Sequence, residues 1–116
     1  MLNIKFSEKW EKLEAKNIKK GKKFTTFRGY AISKQKYYEN CIGSPFEILF
    51  SNERSLGLIG HAKLIKVSYK WAKNVTEREI KKDTYNDWNK EDFKKLMLKF
   101  YKIENPFLIK LTFEWI

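Results

Sequence analysis

Gly21-Lys22-Lys23-Phe24-Thr25-Thr26-Phe27-Arg28, with Lys19 and Lys20 just ahead of it, sets four lysines around one glycine and then runs into a strand. Phe24 to Phe27 are aromatic or β-branched, the types that suit a pleated, half-buried surface. A period of two sends Phe24, Thr26 and Arg28 to one face and Thr25 and Phe27 to the other. A hydroxyl and a guanidinium then project side by side, beside a turn rich in ammonium groups. Such a cluster can hold an anion or a polar base, because arginine offers a planar fork of donors and lysine a mobile point charge. The plainer reading of the same residues is a solvated basic turn leading into an ordinary strand.

Upstream, Leu2-Asn3-Ile4-Lys5-Phe6 alternates apolar and polar and reads as a first strand. Ser7 can cap a helix from Glu8 to about Asn17, with Phe6, Trp10 and Leu13 on its buried side. That helix would end at the lysine turn, where cations offset the negative pole of its dipole. Lys19 and Lys20 therefore read first as helix-end charges. Downstream, Gly29 to Glu39 is the least regular stretch and is expected to be a loop. Its Tyr30, Lys34, Lys36, Tyr37 and Tyr38 interleave rings and cations, a pattern that either stacks bases and contacts phosphates or covers the edge of a small barrel.

Beyond that loop, Ile42-Gly43-Ser44-Pro45 signals a turn and Phe46 to Phe50 a strand. Ser51 to Gly57 reads as a polar hairpin loop, followed by a long strand from Leu58 to about Trp71. Alternation puts Ile65, Val67, Tyr69 and Trp71 on one face, and His61 shares their parity, which predicts a partly buried, hydrogen-bonded histidine. Thr76-Glu77-Arg78-Glu79 is a capping box that opens a short helix. Lys82 to Trp88 is polar and aromatic and breaks the pattern. Asn89 caps an amphipathic helix whose stripe is Phe93, Leu96, Met97, Phe100 and Tyr101, read as core contact. Asn105-Pro106 stops it, and Phe107 to Trp115 alternates cleanly as a last strand. Strands with few helices and no βαβ alternation argue for an α+β fold whose strands curl into a small barrel with flanking helices.

The 116 residues make one domain, 1–116, with 42% hydrophobic and 16% aromatic residues, enough for a single modest core. No apolar run approaches the roughly 20 residues of a membrane span. The first residues lack the apolar core and cleavage site of a signal peptide, so a cytoplasmic location and no membrane partner are expected. Cys41, the single cysteine, cannot form an internal disulfide, and no Cys/His cluster suggests a metal; no cofactor is expected. The net charge of +11 favours a polyanionic partner. Of the 25 basic residues only Arg28, Arg54 and Arg78 are arginine, and Ile, Asn, Tyr and Phe are plentiful, so part of the lysine excess follows a compositional bias. Against that bias Arg28 stands out.

Gly21, Lys23, Thr26 and Arg28 fit a G-x-K-x-x-T-x-R pattern that resembles the signature of the ASCH domains, a family with a PUA-like β-barrel fold. The likeness extends along nearly the whole chain: Gly43 at the turn before a strand, Leu58 to Ile65 as the long "iG-a-i" strand, two helices, and Leu111-Thr112-Phe113-Glu114-Trp115 at the end. The resemblance implies a protein that works on RNA, as a binding module or as a small enzyme. One branch of the family hydrolyses acetylated cytidine with the motif lysine, the motif threonine and a glutamate before the last helix; another branch has ribonuclease activity. Carried onto this sequence, the lysine is Lys23, the threonine Thr26 and the arginine Arg28. The glutamate position aligns with Asn86, in Asn86-Asp87-Trp88, and an amide cannot serve as a general base near neutral pH. The family's Gly-Asp turn is Gly43-Ser44 here.

Three readings follow. The first is an RNA- or nucleotide-binding module with a cleft formed by Lys22, Lys23, Thr26, Arg28 and Asn86, and with Tyr30 or Trp88 available for stacking. The second is a small hydrolase acting on a modified nucleoside or on RNA, in which Lys23, Thr26 and Asp87 are catalytic. The third is an adaptor whose basic face meets an acidic protein partner. Charge and aromatic pattern favour the first over the third, and loss of the glutamate favours it over the second.

Overall fold

A computed structural model describes residues 2–6, 20–51, 56–82 and 89–116. Five strands, β1 (Leu2–Phe6), β2 (Lys23–Gly29), β3 (Pro45–Ser51), β4 (Leu56–Trp71) and β5 (Phe107–Trp115), form one sheet in the order β1-β3-β4-β5-β2. β1 runs parallel to β3, and every other neighbouring pair is antiparallel. Among the described residues three helices accompany the sheet: α1 (Ile32–Asn40), α2 (Glu77–Lys82) and α3 (Lys90–Tyr101), with a 3-10 turn at Ala72–Asn74. The chain is α+β, with a five-stranded sheet curled into a half-barrel. The helix expected over 8–17 lies outside the described residues.

The curl has a local cause in β4. Ile48 pairs with Gly60 but Leu49 with Leu58, and Leu64 pairs with Phe113 but Lys66 with Thr112. Ile59 and Ile65 are thus extra residues against their partners, and each bulge bends the strand and increases its twist. The bulges also reset alternation: Ala62 and Leu64 point into the core, and beyond Ile65 it is Val67 and Tyr69 that do so. His61 is therefore exposed, not partly buried as simple parity predicts.

The inner face buries Ile4, Phe24, Phe46, Ile48, Leu64, Ile109, Leu111, Phe113 and Trp115. The outer face buries Phe27, Leu108 and Ala72 against Val75, Ile80 and the Phe93, Leu96 and Met97 stripe of α3. β2 thus feeds both cores, Phe24 inward and Phe27 outward, as its alternation requires. α3 begins with a reciprocal cap: Asn89 Oδ1 accepts from the Asp92 N–H at 2.9 Å, and Asp92 Oδ2 accepts from the Asn89 N–H at 3.0 Å. Phe100, read as core from the same stripe, is 55% exposed.

The stretch expected to be a loop contains α1, a helix with no buried residue and no capping side chain. Helical periodicity has nothing to show in such a segment. Polar tethers hold it instead: Tyr30 Oη donates to Gln35 Oε1 at 2.6 Å, and Tyr69 Oη donates to Glu39. Burial and the bond to Glu39 push the Tyr69 hydroxyl up to about 12, so it stays a donor at any ordinary pH.

α2 is pinned to the outer face by Glu79, whose carboxylate meets Lys70 of β4 and Lys110 of β5, the latter at 2.9 Å. Glu79 also completes the Thr76 capping box. Burial alone would raise its pKa. Hydrogen bonds from Lys70, Lys110 and the Thr76 backbone outweigh burial and hold it near about 2, against an ordinary 4.5. A carboxylate depressed in the folded state stabilises the fold above its unfolded pKa and loses that contribution as pH falls through its folded pKa. The window here runs from 4.5 down to about 2. Allowing for screening by water, the contribution is about 1–2 kcal/mol. Urea unfolding near pH 6 should therefore find Glu79→Gln less stable than the parent, with the gap shrinking toward pH 2. A gap independent of pH would mean that the carboxylate charge plays no part.

Candidate functional site

β1 and β2 are the two edges of the sheet, and the curl brings them together through side chains. Phe6 and Phe24 meet edge to face with ring centres 6.2 Å apart. Arg28 Nη2 donates to the Lys5 carbonyl at 2.9 Å, and its guanidinium lies 4.8 Å from the centre of the Phe6 ring. This seam opens beside α3 into a cleft of about 380 Å³, lined by Lys5 and Phe6 of β1, Thr26, Phe27 and Arg28 of β2, and Phe93, Leu96, Met97, Phe100 and Tyr101 of α3. Small-ligand sites commonly run from about 300 to 1,000 Å³, with apolar walls and a few convergent polar groups. This cleft has that make-up.

Local sequence explains the geometry. Gly21 takes a φ of +84°, the left-handed turn that starts β2, and its N–H donates to the Trp115 carbonyl at 2.9 Å. At the other end of β2, a Cβ on Gly29 would stand 2.6 Å from Cε1 of Tyr101. The missing side chain lets the Tyr101 ring settle over the strand and close one end of the cleft.

The motif residues divide. Thr26, 5% exposed, and Arg28, half-buried, both line the cleft. Lys22 and Lys23 are exposed at the start of β2 and are not among its lining residues. Lys23 and Thr26 differ by an odd number of positions, so they project to opposite faces of the strand. The lysine that shares the cleft with Thr26 is Lys5 of β1. Tyr30 packs edge-on against Phe107 at 5.0 Å, just beyond the cleft. Asn86, Asp87 and Trp88 lie outside the described residues.

Sequence reasoning missed Lys5, Phe6, Phe100 and Tyr101 as cleft residues. Phe100 falls seven residues after Phe93, on the same line of the helix, so periodicity cannot separate a core ring from a rim ring. Nothing local announces Lys5 and Phe6, which reach the site only through closure of the seam. Among the described residues no three His, Cys, Asp or Glu side chains gather as a metal site, and no helix is long and apolar enough to cross a membrane. No family model matches the chain, and neither the curated proteins nor the solved structures contain a match to it.

Proposed function

We propose that the chain is an RNA- or nucleotide-binding module of the ASCH type, with a PUA-like barrel and the seam cleft as its nucleotide pocket. The observation that carries this reading is the meeting of Thr26 and Arg28 with the Phe100 and Tyr101 rings in one cleft. Aromatic faces stack on any base, and a guanidinium fork donates to phosphate oxygens or to the acceptors of a base edge. The net charge of +11 supplies long-range attraction for a polyanion. Lys5, Lys20, Lys22 and Lys23 are exposed and form no ion pair with another described residue, which suits contact with phosphates.

Phe100→Ala tests the reading with little risk to the fold, since the ring is 55% exposed. Loss of one stacked base costs about 1–3 kcal/mol, so affinity for nucleoside monophosphates should fall between about fivefold and a hundredfold. Stability should move by no more than about 0.5 kcal/mol. Titration calorimetry on parent and variant, with a thermal melt of each, separates the two effects. Equal affinity in both would show that the cleft is not the pocket.

A further inference from the structure

Tyr30, Phe107 and Trp71 make an aromatic surface next to the cleft that the pocket itself does not use. Trp71 and Phe107 are register partners across β4 and β5, with ring centres 4.8 Å apart. Phe107 also meets Tyr30 at 5.0 Å and stacks on Tyr69 at 6.3 Å. Trp71 is 48% exposed and Tyr30 38%, so the cluster presents rings to solvent. The Tyr30 N–H donates to the Phe107 carbonyl at 3.0 Å, which carries the β2–β5 pairing past the end of the strand.

These rings are held in place. Tyr30 is tethered to Gln35 and Tyr69 to Glu39, while Asn105 accepts from the backbone N–H of Lys73, just after Trp71. Rings fixed in advance lose little freedom when a ligand covers them. Lys34, Lys36 and Lys73 belong to the flanking elements, are exposed, and form no ion pair among the described residues. Lysine is depleted from protein–protein interfaces, whereas rings among unpaired cations suit a stacked, anionic strand.

Tyr30 lies two residues beyond Arg28 along the same chain direction, a step of about 7 Å. That is a distance one nucleotide of an unstacked strand can span. We infer that Tyr30, Phe107 and Trp71 are a stacking platform for a second base, so that the ligand is single-stranded RNA of at least two nucleotides and not a free nucleotide. The inference rests on the cleft reading for its first nucleotide, but the platform has its own residues and its own test.

Uridine 5′-monophosphate and a uridine tetranucleotide, which stacks little on itself, are titrated into parent, Trp71→Ala and Trp71→Phe. In the parent the tetranucleotide should bind about fivefold to a hundredfold more tightly than the monophosphate. Trp71→Ala should erase most of that gain and leave monophosphate affinity unchanged, and Trp71→Phe, which keeps a ring, should retain much of it. Equal tetranucleotide affinity in parent and Trp71→Ala overturns the platform, even where monophosphate binding supports the cleft. Trp71-dependent tetranucleotide binding without monophosphate binding sustains the platform and removes the cleft reading. Failure of both ligands to bind removes both. A change of oligomeric state in Trp71→Ala by light scattering, with tetranucleotide affinity intact, makes this face a self-association surface and overturns the proposal.

Discussion

Phe113→Ala is expected to cost about 3–5 kcal/mol, the usual penalty for deleting a core phenyl ring. Single domains hold only about 5–15 kcal/mol in total, so the variant should sit near the edge of folding. Phe113 is fully buried in β5, paired with Leu64 of β4 on one side and Phe24 of β2 on the other. Its ring stacks on Phe24 at 5.2 Å and meets Phe46 edge-on at 5.4 Å. Three strands thus lean on one side chain, and the rigid sheet cannot collapse to fill the hole. Phe113→Leu keeps most of the volume and should cost about 1–1.5 kcal/mol. Urea titrations read both as shifts in midpoint at constant slope. A loss below about 1 kcal/mol for the alanine variant would mean that the inner face is not packed as described.

Arg28→Ala should weaken nucleotide binding far more than Lys20→Ala, on the proposed function. Arg28 is positioned by the Lys5 carbonyl and the Phe6 ring, so its fork is already fixed where the cleft opens. A hydrogen bond to a charged group contributes about 1.5–3 kcal/mol, which is roughly a tenfold to hundredfold loss of affinity. Lys20 is exposed on the turn before β2 and adds mainly diffuse attraction, so its loss should change affinity about twofold at physiological salt. The arginine variant should also melt earlier, because the seam loses its bond to β1. Arg28→Lys separates the two roles, since it keeps the charge and loses the planar fork. Equal losses for Arg28→Ala and Lys20→Ala would mean diffuse charge without a pocket.

Much of the fold was legible because its signals are local. The capping residues Thr76/Glu79 and Asn89 marked both later helices, and the unbroken alternation from Phe107 to Trp115 marked β5. What escaped was set by distant contacts. Bulges at Ile59 and Ile65 shift the parity of β4, and simple alternation puts His61 with Val67 when it faces the other way. Gly60 beside Ile59 is a residue type that marks a bulge inside a strand, but Ile65, the bulge between His61 and Val67, carries no such mark. α1 is held by Tyr30 and Tyr69 through single polar contacts, and a helix without an apolar stripe looks like a loop. Half of the candidate site was legible for the same reason: Thr26 and Arg28 share a strand face, which alternation gives directly, and both line the cleft. Lys5 and Phe6 join them only because the sheet curls, and the curl originates in β4. The readings on Asn86, Asp87 and Trp88 fall outside the described residues.

The central claim is that the seam between β1 and β2, beside α3, holds a nucleotide. An NMR titration of the isotope-labelled protein with a nucleoside monophosphate tests it most directly. The account predicts saturable shifts concentrated at Lys5, Phe6, Thr26, Arg28, Phe100 and Tyr101, with contacts from the base protons to the Phe100 or Tyr101 ring. Shifts spread evenly over the exposed lysines, or saturable shifts confined to a surface away from α3, would contradict it.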